Sequence, residues 1–302
     1  MKKIRQSGAN FLVNKKYSQV TRYDHSIGVM LLIKKVGGSI DEQIAGLLHD
    51  VSHTAFSHVS DLLFKVEKES SFHEQIYIDF IKKTDIPRIL DEHGYNYKDI
   101  LFDLTKWNLL EKPFPLLSID RIDYTLRDMV VYENLSLKEV NNFLEKLIVF
   151  KNKLCLEDIK SGEWFLNLYF KEVVTFFMNP KNVYSHIIFK NILEYALEKG
   201  IINKVDFMKT DEYILGKLNQ CDSSYIKGLF EKLEQNQVIK SNKHDYNYFL
   251  EFKVRQINPY ILIENKLIEL SIVSNKTKLM IEDMVSYQKT GVYIKEITSK
   301  DK

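Results

Sequence analysis

Apolar residues recur at helical spacing through most of the first 200 positions. In residues 21–36, TRYDHSIGVMLLIKKV, the positions Ile27, Met30, Leu31 and Ile33 mark a helix with His25 in its first turn and Gly37-Gly38 as its stop. Ser39 or Asp41 would cap the next helix, IDEQIAGLLHD, whose Ile40, Ile44, Leu47 and Leu48 form one stripe and whose end carries His49 and Asp50. Residues 58–67, 71–83, 115–131 and 137–149 share that spacing, the second with Ser70-Ser71 as caps. Val149–Leu156 alternates around an Asn-Lys turn and predicts a short hairpin. Two long apolar helices are predicted within 161–178 and 182–199, parted by Asn179-Pro180. Past Gly200 the character shifts. Residues 204–238 are charged, with helical pieces, and 246–272 alternate as strands in YNYFLEFKV, PYILIEN and KLIELSIV. A helix over 275–286 and a last strand, GVYIKEI, complete the pattern. The predicted architecture is mainly α, with a helical core over 1–200 and a smaller α+β region over 201–302. That second region is expected to serve packing and assembly rather than catalysis.

Composition agrees. Eleven Gly and five Pro among 302 residues are too few for a turn-rich β sandwich and suit long helices. The 43 Lys+Arg and 41 Asp+Glu leave a formal charge of +2 spread along the chain, which indicates nucleic acid only weakly. Cys155 and Cys221 have no CxxC partner, which argues against a disulfide framework or a cysteine zinc site and for a reducing cytoplasm. The apolar stretch Phe11–Val13 is too short for a signal core, and no run approaches the ~20 apolar residues of a membrane span, so no membrane is expected. Strand edges in the C-terminal region must be paired, covered or charged, and pairing in a homo-oligomer, a dimer or larger, is the expected solution.

The histidines change the picture. Five of the eight fall between His25 and His73. His25 is followed 24 residues on by the pair His49-Asp50 and 70 residues further by Asp120, each on an otherwise apolar helix. Two imidazoles and two carboxylates are a mixed N/O set suited to Mn, Fe, Zn or Mg, with sites left for water and a substrate oxygen. Only a packed bundle could gather residues so far apart in sequence. Burying a helix-borne Asp beside a His without a metal or partner would cost on the order of several kcal/mol. Competing motifs fail: His73-Glu74 begins H-E-x-x but position 77 is Tyr, and GxxxxGKS/T, GxGxxG and GxSxG are absent. Neither cysteine lies near the histidine cluster in sequence, which leaves a cysteine nucleophile unsupported.

R-Y-D-H-S-I-G-V (Arg22–Val29), L-L-H-D-V-S-H-T-A-F-S-H (Leu47–His58), F-H-E-Q (Phe72–Gln75) and I-D-R-I-D-Y-T-L-R-D (Ile119–Asp128) resemble the HD-domain phosphohydrolases. Within them the likeness is to the branch of dNTP triphosphohydrolases and the sterile-alpha-motif-containing dNTPase, continued by N-V-Y-S-H (Asn182–His186) and more faintly by N-P-Y and E-L-S between Asn258 and Ser271. The resemblance implies an HD-type helical bundle with His25, His49, Asp50 and Asp120 as ligands of a divalent ion. His53 and His58 match substrate-facing histidines, one holding a phosphate and the other protonating the leaving oxygen. Asp61, His73 and Glu74 match residues that orient that acid. Arg22, Arg121 and Tyr124 match phosphate contacts, Asp128 and Tyr184 sugar contacts, and Gln6 a residue near the sugar 3′ hydroxyl. The implied reaction releases triphosphate from a dNTP. Two departures stand out: Arg121 replaces a usual Lys, and Phe176 falls where the branch carries a phosphate-binding Arg. Phe176 therefore keeps a second reading open, a phosphomonoesterase or nucleoside monophosphatase. A third is a nucleotide- or nucleic-acid-binding HD protein with little activity.

Overall fold

A computed structural model describes residues 1–64 and 71–297. Ser70 and the end of the predicted helix 58–67 lie outside the described residues. Helix α1, Arg22–Lys35, begins at a reciprocal cap between Thr21 and Asp24 and ends before Gly37, whose φ of +82° suits glycine. Helix α2, Ile40–Leu48, takes Ser39 as its cap, with Ser39 Oγ accepting the Glu42 amide at 3.1 Å. Buried Glu42 accepts the Leu109 amide at 2.6 Å and so ties α2 to the segment that leads into α7. Then follow α3 (Ser57–Leu63), α4 (Phe72–Lys82), α5 (Ile86–Glu92) and α6 (Tyr97–Leu101). The last two were not predicted; both are short, and α5 carries a proline in its first turn.

Helix α7, Ile119–Glu133, starts four residues later than the periodicity suggested. The chain before it is used otherwise: Ile119 and Asp120 donate their amides to the carbonyls of Leu109 and Leu110, pinning the first turn of α7 in place. Helix α8 spans Leu137–Leu144, short of the predicted 149 because strand β1, Leu147–Phe150, takes over. It pairs with β2, Lys153–Leu156, around Lys151 and Asn152, both at positive φ, so the turn sits one residue earlier than expected. Helix α9, Ile159–Glu172, runs into one π-helical turn, Val173–Phe177, before Asn179 caps α10, Pro180–Glu198.

The remainder comprises α11 (Asp211–Gln220), α12 (Ser224–Gln235), β3 (Val238–Lys240), β4 (Tyr248–Leu250), β5 (Tyr260–Ile263), β6 (Lys266–Glu269), α13 (Leu270–Val273), α14 (Asn275–Lys289) and β7 (Val292–Glu296). The first sheet has the order β1-β2-β5-β6, in which β5 joins the earlier hairpin in parallel; the second has the order β3-β7-β4. Two strand expectations shrink. Only Tyr248–Leu250 of the 246–254 stretch joins a ladder. Residues 270–273 make a helical turn because Asn258 grips that bend, accepting the Ser271 amide at 3.0 Å and donating to Ser271 Oγ and Glu269. One apolar core runs from Ala9 through α1, α7 and α10 to Ile294. A small separate cluster joins Val20, Tyr132 and Phe176. Among the described residues no helix is long and apolar enough to cross a membrane.

Candidate metal centre

Three parts of the chain meet around His25. The cap at Thr21 sets His25 in the first turns of α1, α2 ends at His49 and Asp50, and the pinned first turn of α7 presents Asp120. His25 is 1% exposed; its Nε2 lies 3.0 Å from Asp120 Oδ1 and 3.8 Å from Asp50 Oδ2, and its Nδ1 lies 2.8 Å from Asp123 Oδ2. His49 donates from Nδ1 to the Gly46 carbonyl at 2.8 Å. Its buried Nε2 therefore carries the free lone pair, and that atom has no hydrogen-bond partner. It points between Asp50 Oδ1 and Asp120 Oδ1, each 3.4 Å away.

This donor set passes a test for a divalent cation. One ligand atom from each of His25, His49 and Asp120 lies within 4.8 Å of the others, and Asp50 borders the same space. The electrostatics point the same way. Burial would lower the His25 pKa, yet hydrogen bonds that its ring donates to Asp120 and Asp123 raise it to about 10. Surroundings that hold a second proton on an imidazole would equally hold a divalent ion. Against the opposing pull of burial, the His53, His49 and Arg22 neighbours keep Asp50 well below the usual carboxylate range, and His25 and His49 do the same for Asp120. Asp123, which Arg127 grips at 3.0 and 2.7 Å, fixes the His25 ring. Sequence reasoning passed over Asp123, although it lies one turn from Asp120 in the same helix.

A second donor set adjoins the first: Asp50, His53 and His73 also bring ligand atoms within 4.8 Å of one another. His53 Nε2 lies 3.1 Å from Asp50 Oδ1, and its ring stacks on His73 at 3.6 Å. Arg22 donates to Asp50 at 2.7 Å and to Ser57 at 3.1 Å, and its Nη2 lies 3.3 Å from His58 Nε2. Desolvation and the Arg22 charge hold both His53 and His58 well below the usual histidine pKa. His58 keeps an exposed edge next to His186, which donates to the Ser7 carbonyl at 3.3 Å. Gly8, at φ +60°, closes over these two rings, where a Cβ would come within 3.1 Å of His186.

The other predicted residues take distinct places. Asp61 accepts the Phe72 amide at 2.9 Å and Glu74 the Ser71 amide at 2.5 Å, so both hold the start of α4. Arg121 is buried; it donates to the carbonyls of Leu116 and Lys112 and lies 4.1 Å over the Phe114 ring. Gln6 runs beside the start of α1, its amide donating to Val20 O and its buried Oε1 unpartnered. Tyr124 is half-buried, and Asp128 is buried with Oδ1 unpartnered. Burial and neighbouring Asp123 push the Asp128 carboxyl up to about 7, although His25, Arg127 and Arg22 pull it down. Tyr184 lies under the second sheet, donating to Glu296 at 2.6 Å. Phe176 packs among Tyr17 and Tyr132, each at 5.0 Å. Glu111 also borders the centre from an exposed position, and the surrounding protein together with Asp120 raises its carboxyl pKa.

Comparison with known proteins gives this geometry a family. The HD domain family matches residues 22–128. YdhJ of Bacillus subtilis (strain 168) is 45% identical over 295 residues, spanning 98% of this chain and 90% of YdhJ. The metal-dependent phosphohydrolase cns2 of Cordyceps militaris is 29% identical over 248 residues, 80% of this chain and 71% of cns2. Among solved structures, a phosphohydrolase from Bacteroides thetaiotaomicron superposes with a TM-score of 0.74 over 98% of this chain and 92% of its own; at 17% identity that likeness speaks for the fold.

Proposed function

Because the chain belongs to the HD superfamily of metal-dependent phosphohydrolases, we propose that it acts on nucleotides, most closely as a dNTP triphosphohydrolase that hydrolyses at the α-phosphorus and yields a deoxynucleoside and triphosphate. One observation carries this reading. Asp120, Tyr124 and Asp128 lie at i, i+4 and i+8 of α7 and share one face. They reach about 12 Å along the helix from the metal centre, the scale of a phosphate joined to a nucleoside. The far member, Asp128, keeps an unpartnered buried oxygen suited to a sugar hydroxyl.

His25, His49, Asp50 and Asp120 would hold the ion, which polarises a phosphoryl oxygen and lowers the pKa of water. The protein's own groups do the rest. Asp123 fixes the His25 ring, Gly46 the His49 tautomer, and Arg22 the Asp50 carboxylate. His58 is the group placed to protonate the leaving oxygen. It is held neutral by its surroundings and by the Arg22 charge. A phosphate bound beside Arg22 offsets that charge and so raises the His58 pKa as substrate arrives.

A substrate panel with Mn²⁺, scored for phosphate, pyrophosphate and triphosphate, tests the proposal. Triphosphate from a dNTP supports it, and no nucleotide turnover by fully metallated protein refutes it. A phosphomonoester is the second reading, favoured by the aromatic packing of Phe176, which puts no cation at that position. Release of phosphate alone would select it.

A further inference from the structure

Arg255 comes from the C-terminal region, on the extended stretch between β4 and β5. The Gln288 side chain clasps its backbone on both sides: Arg255 N donates to Gln288 Oε1 at 2.8 Å, and Gln288 Nε2 donates back to Arg255 O at 2.8 Å. Gln288 is itself buried, and its Nε2 also reaches the Met284 carbonyl at 3.2 Å. Such a clasp fixes backbone as a strand partner would, so the side chain starts from a set point. From there the guanidinium lies 4.9 Å over the Phe177 ring, with Tyr124, Tyr169 and Glu172 in its surroundings. Tyr124 is one turn from Asp120 on α7, and its ring lies 6.3 Å from that of Phe177, so Arg255 adjoins the helix that carries Asp120. Its charge also contributes to lowering the His58 pKa.

The other arginines here each have protein acceptors. Arg22 serves Asp50, Arg127 serves Asp123, and Arg121 serves two loop carbonyls. Among the described residues no carboxylate pairs with Arg255. The acid in its surroundings, Glu172, is fully buried and accepts from Thr125 Oγ1 at 2.7 Å, and burial with neighbouring Asp128 raises its pKa, which weakens it as a counter-charge. The Arg255 guanidinium is half-buried on an aromatic face with no carboxylate in ion-pair contact, and an anionic ligand would complete its pairing. Its planar fork suits two oxygens of one phosphate.

The geometry points to Arg255 as the residue that receives a phosphate group of the substrate beside the metal centre, so that the C-terminal region completes the cleft. This rests on reading the cleft as a phosphoester site. Inorganic tripolyphosphate, which carries neither base nor sugar, is the probe. Its binding to the full chain in saturating Mn²⁺ is measured by calorimetry for wild type, Arg255→Gln and Arg255→Lys, with bound metal and thermal unfolding recorded for each. The expected result is affinity at least tenfold weaker in R255Q and intermediate in R255K, with metal content unchanged. Wild-type affinity in folded R255Q overturns the assignment; should R255Q not fold, wild-type affinity in R255K does so. The two readings separate cleanly. A nucleotide hydrolysed with unaltered KM by R255Q refutes the role of Arg255 and leaves the substrate reading standing, whereas Arg255-dependent tripolyphosphate binding without nucleotide turnover does the reverse.

Discussion

Gly28 lies in α1 one turn after His25, and a methyl group there should strike the support of the metal centre. A Cβ at position 28 would overlap Asp123 Oδ1 and Arg127 Nη2 and lie 2.7 Å from Asp123 Cγ. These are ends of side chains, but they cannot swing away freely. Asp123 is held at 2.8 Å by His25 Nδ1 and by two bonds from Arg127, so moving it breaks the contact that orients the imidazole. Two effects oppose each other. Alanine gains about 1 kcal/mol over glycine inside a helix. Losing a buried charge-assisted hydrogen bond costs about 1.5–3 kcal/mol. Gly28→Ala should therefore lower stability by about 0.5–2 kcal/mol, visible in urea unfolding without metal. Its larger effect should fall on the ion: loss of a carboxylate behind a ligating histidine typically weakens metal binding about 10- to 100-fold. Mn²⁺ and Zn²⁺ titrations of G28A, with Asp123→Asn as the reference, read this directly. A G28A protein that is more stable than wild type and binds metal equally well would show that Asp123 does not hold His25.

Other consequences are open to simpler measurements. His49→Ala and Asp50→Ala should each lose bound metal and hydrolysis together, and full activity in both would rule out this centre. Asp211 accepts the amides of Arg5 and Phe56, and burial raises its pKa from 3.8 to about 6. An acid with a raised folded pKa contributes full stability below its unfolded pKa and loses it as pH rises through the folded value, here a change of about 3 kcal/mol. Asp211→Asn should therefore gain on wild type in denaturant unfolding between pH 4 and pH 7, and a stability difference flat across that window contradicts the account. Gly162 of α9 faces Leu270 and Ile261, which would lie 2.9 and 3.0 Å from a Cβ placed there, so Gly162→Val should overpack that joint and cost about 1–3 kcal/mol while leaving metal affinity intact. Lost metal binding in a folded G162V protein would mean that the sheet and the centre are coupled.

What was legible in the sequence were features that local chemistry determines. Ser39, Asn179-Pro180 and the glycines after α1 announce helix ends through local chemistry, Ser39 and Asn179 by side chains that bond within three residues and the glycines by their backbone freedom, and those ends help to fix where the His49-Asp50 pair emerges. The late start of α7 and the single helical turn at 270–273 escaped, because both are decided by partners far away in the chain: Leu109 and Leu110 for the first, Asn258 for the second. The site divides in the same way. Its ligating residue types could be read from spacing and resemblance, whereas the groups that set their protonation are tertiary. Asp123 reaches His25 across 98 residues, and Arg255 approaches Tyr124 from a strand-like stretch whose polar alternation suggested an ordinary sheet. Arg121 is the converse, a guanidinium whose sequence position suggests a phosphate contact but whose donors go to loop carbonyls. A cation is assigned to substrate more securely once its protein acceptors are known, and by that criterion Arg255, which has no carboxylate in ion-pair contact among the described residues, is the guanidinium we propose for phosphate.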